Sequence, residues 1–170
     1  MIAAVTMDGK IAKHPSHNVD WTSPKDKDFF RSETKKAGVV IFGNNTYKAM
    51  GTHMEDRLNI IMTRSPKRYQ KSARQNLLEF TDDSPSVILD KLAERGYASA
   101  VIGGGSEVYS LYLAANLVDE IYLTIVPKIF GKGVPLFQNM NIPTIASKLI
   151  ETRRLGTDEI LLKYLVLKSN

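Results

Sequence analysis

Ala100-Val-Ile-Gly-Gly-Gly-Ser-Glu-Val-Tyr109 is the stretch that decides the fold class. A short apolar run stops at three glycines and passes at once into helix-forming residues. Val39-Val-Ile-Phe-Gly-Asn-Asn-Thr-Tyr47 repeats the device. Strand, glycine, helix start is the pattern of an α/β domain. Such a turn leaves the first N–H groups of a helix unpaired, beside backbone with no side chain, and a phosphate can approach there. Glycine at one such turn also serves plain strand–helix packing, so either copy alone carries both readings. Two copies in a small domain suit a dinucleotide, whose pyrophosphate is gripped from two sides. The Rossmann pattern G-x-G-x-x-G is absent, so a nicotinamide cofactor here implies a different fold.

The flanking chain continues the alternation. Ile2–Met7 reads as a first strand ending at the Asp8-Gly9 turn, and Ala12–Asp20 as a polar loop. Ser23-Pro24-Lys25-Asp26 opens a helix to about Lys36, with Ser at the N-cap, Pro at N1 and an acid at N3. Further strands are expected at Val39–Phe42, Asn59–Thr63, Glu79–Thr81, Ala98–Ile102 and Glu120–Val126. Helices are expected at Thr46–Met50, Pro85–Arg95 and Glu107–Ala115, the second with Val87, Ile88, Leu92 and Ala93 inward. The tail predicts an antiparallel hairpin, Ser147–Arg154 with Glu159–Leu167. The sum is a single domain, 1–170, with a mixed, mostly parallel sheet of about eight strands between flanking helices.

Composition excludes several classes. A chain of 170 residues with 43% hydrophobic and 24% charged residues builds one globular core, not a disordered tract. No apolar run approaches the ~20 residues of a membrane helix. There is no Cys, which removes disulfides, thiolate nucleophiles and Cys-based zinc sites, and fits a cytoplasmic protein. The net charge of +5 is spread among acids, and aromatic residues do not interleave with the basic stretch Arg64–Arg74. Neither a nucleic-acid nor a membrane partner is therefore expected. His14, His17 and His53 lack carboxylates at ligand spacing, so no metal is expected.

Two further places carry chemistry. Thr63-Arg64-Ser65 ends a strand where α/β proteins place ligands. It is either a solvated basic turn or a seat for a phosphate monoester such as the 2′-phosphate of NADPH. Asp26 is either a capping residue or a ligand-binding acid. Spacing places Asp26, Phe29, Phe30 and Glu33 on one helix face. A carboxylate beside two Phe rings is desolvated, and it can accept two parallel N–H bonds from the N–C–N edge of an aminopterin ring.

Six segments in order resemble the dihydrofolate reductase superfamily: Ile2–Ala12, Asp20–Phe30, Val40–Tyr47, Asp56–Arg64, Val101–Tyr109 and Ile121–Thr124. Trp21-Thr-Ser-Pro-Lys-Asp26, Arg57 before Asn59-Ile-Ile, and Thr124 look like dihydrofolate reductase. Met7–Ala12 and Pro127–Phe137 look like the riboflavin-pathway reductase domain, whose Asp-Asn-Pro-x-Leu segment is missing here. The resemblance implies a three-layer α/β fold and an NADPH-dependent oxidoreductase acting on a small molecule, as monomer or homodimer. Dihydrofolate is the favoured substrate, and the alternative is a ribosylaminopyrimidine phosphate. A nucleotide-binding protein without turnover is the third reading.

By the same resemblance, Asp26 holds the pterin edge and supports protonation at N5, with Thr124 beside it. Trp21 covers the site from the loop Ala12–Asp20. Ala4 and Ile11 line the nicotinamide pocket. Phe30 and Met50 sandwich the substrate, and Arg57 pairs with its carboxylate in a two-pronged bond. Gly43, Asn44, Asn45, Thr46, Thr63, Arg64, Ser65, Gly103, Gly104, Gly105, Ser106, Glu107, Val108 and Tyr109 hold NADPH. A cis peptide is implied at Gly104–Gly105. Asn44 and Asn45 stand where dihydrofolate reductases often carry basic residues, which shifts phosphate binding onto Arg64.

Overall fold

A computed structural model of the chain describes residues 1–138 and 144–168. In chain order the elements are β1 (Ile2–Thr6), β2 (Lys10–Ala12), α1 (Pro24–Ala37), β3 (Val39–Gly43), α2 (Asn44–Met50), β4 (Leu58–Met62), β5 (Leu78–Thr81), α3 (Pro85–Glu94), β6 (Val101–Gly104), α4 (Ser106–Ala114), β7 (Glu120–Val126), β8 (Val134–Pro135), β9 (Ser147–Leu155) and β10 (Glu159–Val166). A 3₁₀ turn, Pro66–Tyr69, follows β4.

The buried apolar runs pair as parallel strands in the order β5-β4-β3-β6. A second sheet has the order β1-β7-β10-β9, with β1 parallel to β7 and the C-terminal hairpin antiparallel. The expected eight strands thus form two four-stranded sheets, whose edges β6 and β1 lie side by side. Tyr109 ties those edges. Its hydroxyl lies 2.7 Å from the Ile2 carbonyl and 3.0 Å from that of Gly103, with one phenolic proton between two acceptors. One apolar layer packs α3 and α4 on the sheets through Ile41, Ile88, Leu92, Tyr112 and Leu113. The other packs α1 and α2 through Val40, Phe42, Ile61 and Leu78.

Several boundaries differ from expectation for identifiable reasons. β1 stops at Thr6 because the Thr6 hydroxyl bonds the Asp8 carboxylate at 2.5 Å and accepts the Lys10 N–H at 2.9 Å, closing a tight turn. β2 and β8 were not expected; they are three and two residues long and carry too little pattern to read. β6 begins later than Ala98 and takes in Gly103 and Gly104. In α3 the inward stripe is Ile88, Leu89 and Leu92, whereas Val87 is 39% exposed and Ala93 is exposed. The i, i+1, i+4 spacing selects the first three, and Val87 lies a further ~100° around the helix. α2 starts at Asn44, two residues before the expected Thr46. The peptide between Gly104 and Gly105 is cis.

Helix α1 follows its sequence signals. Ser23 caps it, its hydroxyl accepting the Asp26 N–H at 3.2 Å, and Gly38 ends it in the left-handed region at φ 72°. No described helix is long and apolar enough to cross a membrane.

Candidate active site

The carboxyl ends of β3, β4 and β6 and the start of α1 open into one cleft of about 1480 Å³. Of the residues singled out in the sequence, Ala4, Ile11, Trp21, Asp26, Phe30, Met50 and Arg57 line it, as do Gly43–Thr46, Thr63–Ser65, Gly103 and Gly105–Tyr109. Gly104 and Thr124 do not. Gly104 turns against the Tyr109 ring, and Thr124 is fully buried on β7 behind Asp26.

Asp26 is 7% exposed. Burial dominates its chemistry and raises its pKa. The Thr124 and Thr22 hydroxyls pull the other way, though neither makes a hydrogen bond of ordinary geometry. The charge of Glu159 adds to the upward shift, and Lys27 weakly opposes it. The surroundings differ from the expected pair of Phe rings. Phe30 lines the cleft, but Phe29 packs on Tyr122 at 5.5 Å beneath the Arg153 guanidinium. Glu33 pairs outside with Lys36. An acid with unspent oxygens on an apolar wall is built to meet hydrogen-bond donors from a ligand.

Trp21 is buried, and its ring meets Phe130 edge-on at 5.2 Å. Its carbonyl accepts Lys128 Nζ at 2.8 Å, while its own Nε1 has no partner among the described residues. Pro15, His17, Asn18 and Val19 of the preceding loop join it on the cleft wall.

Arg57 stands at the mouth and is braced from within. Its Nε donates to the Glu55 carbonyl at 2.8 Å. Its Nη1 donates to the Arg31 carbonyl at 2.8 Å and to the Thr34 hydroxyl. Both Nη1 protons are then used, and only Nη2 remains for a ligand. A two-pronged pairing through two nitrogens, as the resemblance implies, would need one of these bonds to give way.

At the other end, α4 starts without a side-chain cap, so its first N–H groups stay open. Ser106 Oγ, on its first turn, and Asn44 Oδ1, opening α2, are buried without partners among the described residues. A Cβ on Gly105 would stand 3.0 Å from Thr46 Oγ1, so the cradle there is shaped for backbone. Arg64 and Ser65 reach the cleft together with Arg68 and Tyr69, which sequence reading missed. Tyr69 stacks on Phe80 at 4.5 Å with planes 7° apart. The available signal was the basic run Arg64–Arg68, read as a cluster but not as a wall. These groups can hold a long anionic ligand with a flat end.

Residues 1–161 match the RibD C-terminal domain family. The chain belongs to that family. It is therefore a reductase-like oxidoreductase of the dihydrofolate reductase superfamily. A putative dihydrofolate reductase of Caenorhabditis elegans is 29% identical over 149 residues, covering 80% of this chain and 75% of that one. A diaminohydroxyphosphoribosylaminopyrimidine deaminase/5-amino-6-(5-phosphoribosylamino)uracil reductase from Thermotoga maritima shares the fold with a TM-score of 0.78 at 22% identity. The match covers 98% of this chain but 55% of that one, so the chain spans about half of the two-activity protein. Dihydrofolate reductase from Enterococcus faecalis, solved with NADP(H), shares it at 0.64 and 21% identity, covering 98% and 95%.

The two segments that look like the RibD C-terminal domain form one unit in space. Asp8, from Met7–Ala12, accepts the N–H of Gly131 at 2.8 Å and of Phe130 at 3.2 Å, from Pro127–Phe137. The Thr6 hydroxyl, and after it those bonds, hold its carboxyl below the usual range. β2 and β8, from the same segments, then pair. The unit carries Phe130 to Trp21 and so shapes the Trp21 side of the cleft.

Proposed function

We propose that this RibD C-terminal domain protein reduces a 2-amino-4-oxo pteridine, dihydrofolate foremost, using NADPH. One observation carries the reading: a nearly buried carboxyl, Asp26, faces the cleft beside Phe30. A pterin presents two N–H donors on one edge and answers both oxygens of such a group. The imide edge of a pyrimidinedione presents one donor and one carbonyl oxygen, and the second sets acceptor against acceptor. A second reading, reduction of a ribosylaminopyrimidine phosphate, is favoured by the family match over residues 1–161. The missing Asp-Asn-Pro-x-Leu segment weighs against it.

NADPH, when bound, supplies the hydride that pterin C6 accepts. The chain's own residues do the rest. Ala4 and Ile11 offer small and apolar walls to the nicotinamide. The α4 N-terminus with Ser106, and Asn44 with Thr46, take the pyrophosphate. Thr63, Arg64 and Ser65 take the 2′-phosphate. Asp26 fixes the ring edge and, held above the ordinary carboxyl range, supports delivery of a proton toward N5. Trp21 and the loop before it exclude water from the transfer.

Purified protein with NADPH and dihydrofolate is expected to lose nicotinamide absorbance. Loss with the pyrimidine phosphate but with no pterin selects the second reading. Cofactor binding with oxidation by neither leaves a binding protein. Trp21 is the single tryptophan, so quenching of its fluorescence reads binding apart from turnover.

Arg57→Ala is expected to raise the dihydrofolate KM about three- to ten-fold, near ~1 kcal/mol. That is the scale of a charged hydrogen bond from one nitrogen of a partly exposed side chain. A KM equal to wild type would remove Arg57 from substrate binding.

A further inference from the structure

Glu159 opens β10 just past the hairpin turn, and its place in the sequence suggests only a strand residue. It is 5% exposed. Its Oε1 accepts the Ser23 N–H at 2.8 Å, and its Oε2 accepts the Ser23 hydroxyl. The Ser23 oxygen in turn accepts the Asp26 N–H. A chain of three bonds thus runs from the C-terminal hairpin, 136 residues away in sequence, into the first turn of α1. Both Glu159 oxygens accept. No Lys or Arg among the described residues pairs with it. The reduction needs no second acid at this position, yet the fold buries one.

We propose that Glu159 is a positioning residue for the reductase: it locks the first turn of α1 through Ser23 and sets the charge that Asp26 meets there. The kinetic consequence rests on the function proposed above; the electrostatic one does not. Two like charges near one helix end disfavour each other, so ionised Glu159 favours the protonated form of Asp26. The other groups facing Asp26 do not supply this. Lys27 on α1 favours the ionised form, as do the Thr22 and Thr124 hydroxyls. Tyr109 of α4 is fully buried, and its pKa is pushed up by desolvation and then by Asp26 itself, so it stays neutral. Lys128, beyond β7, is spent on the Trp21 carbonyl.

Glu159→Gln keeps the shape and removes the charge. Two readouts are needed. In the free protein, the Asp26 carboxyl is titrated by ¹³C NMR, its signal assigned by its loss in Asp26→Asn. In turnover, kcat/KM for dihydrofolate is followed against pH. The Asp26 midpoint is expected to move toward acid. The rate at neutral pH is expected to fall about three- to ten-fold, on the scale of one partly screened neighbouring charge. The rate at the acid end should be retained, because Asp26 still takes up the proton there and passes it toward N5, which leaves the carboxylate that the pterin edge needs. An unmoved Asp26 midpoint overturns the proposal, and so does a profile lowered equally at every pH, which is the mark of a merely structural residue. If wild type oxidises no NADPH, the NMR titration still decides the role of Glu159, and that failure belongs to the proposed function. Should Glu159→Gln not fold, Glu159→Asp and Ser23→Ala keep the negative charge while weakening or removing the relay. Both are then expected to keep the wild-type Asp26 midpoint and to quicken amide exchange in the first turn of α1, and exchange equal to wild type in both overturns the proposal.

Discussion

Asp26→Asn is expected to cut dihydrofolate turnover at neutral pH by about 10²–10⁴-fold, the range for loss of a positioned acid–base group. The fold should gain stability from the same change. The folded-state pKa of Asp26 is raised, chiefly by burial. Between the ordinary carboxyl value and that raised value, the folded protein binds more proton than the unfolded chain. Stability therefore falls as pH climbs through this window, and the loss persists above it. Asn has no charge to desolvate, so the variant should melt above wild type at neutral pH, and the gap should close below the ordinary carboxyl range. Activity and melting moving in opposite directions mark a site kept at the expense of stability. Asn also presents one donor and one acceptor. That edge suits a pyrimidinedione better than a pterin, so the relative affinity for the pyrimidine phosphate should rise. Near-normal turnover in Asp26→Asn would remove Asp26 from the chemistry, since its carboxyl makes no capping bond either.

Gly103→Ala is the second large effect. A Cβ at this position would stand 2.4 Å from Phe42 Cε1, 2.9 Å from Phe42 Cδ1 and 3.1 Å from Phe30 Cζ. Phe42 is 2% exposed near the carboxyl end of β3 and has little room to yield. Phe30, on the cleft wall, is the ring that can move. Overpacking of this kind costs about 1–3 kcal/mol, or a fall of about 2–12 °C in Tm for a chain of this size. The displaced Phe30 should also weaken pterin binding, read by Trp21 quenching, more than NADPH binding at the α4 end. A variant with wild-type Tm and wild-type affinity would mean that the rings do not pack as described.

The local elements were largely legible. The Ser23-Pro24 start of α1, the two strand–glycine–helix turns and the C-terminal hairpin stand where chain chemistry puts them, because caps, glycines and apolar periodicity act over a few residues. Long-range pairing was not legible. Arg57 reads as a free cation, but Arg31, Thr34 and Glu55 claim three of its donor bonds. Phe29 and Phe30 are neighbours in sequence, yet one faces the sheet and the other the cleft, since adjacent helical residues are ~100° apart. Glu159 is a plain strand residue until Ser23 meets it.

Sequence by itself determined that this chain builds an α/β domain with two glycine turns at helix starts and one acid on the first turn of α1. Those features depend on backbone freedom and side-chain spacing within a few residues. Only the tertiary structure decided that the acid is buried, that Thr124 stands behind it, and that a second carboxylate from β10 is bonded to the residue that caps its helix. Desolvation and charge repulsion depend on distance through space, and residues far apart along the chain supply them.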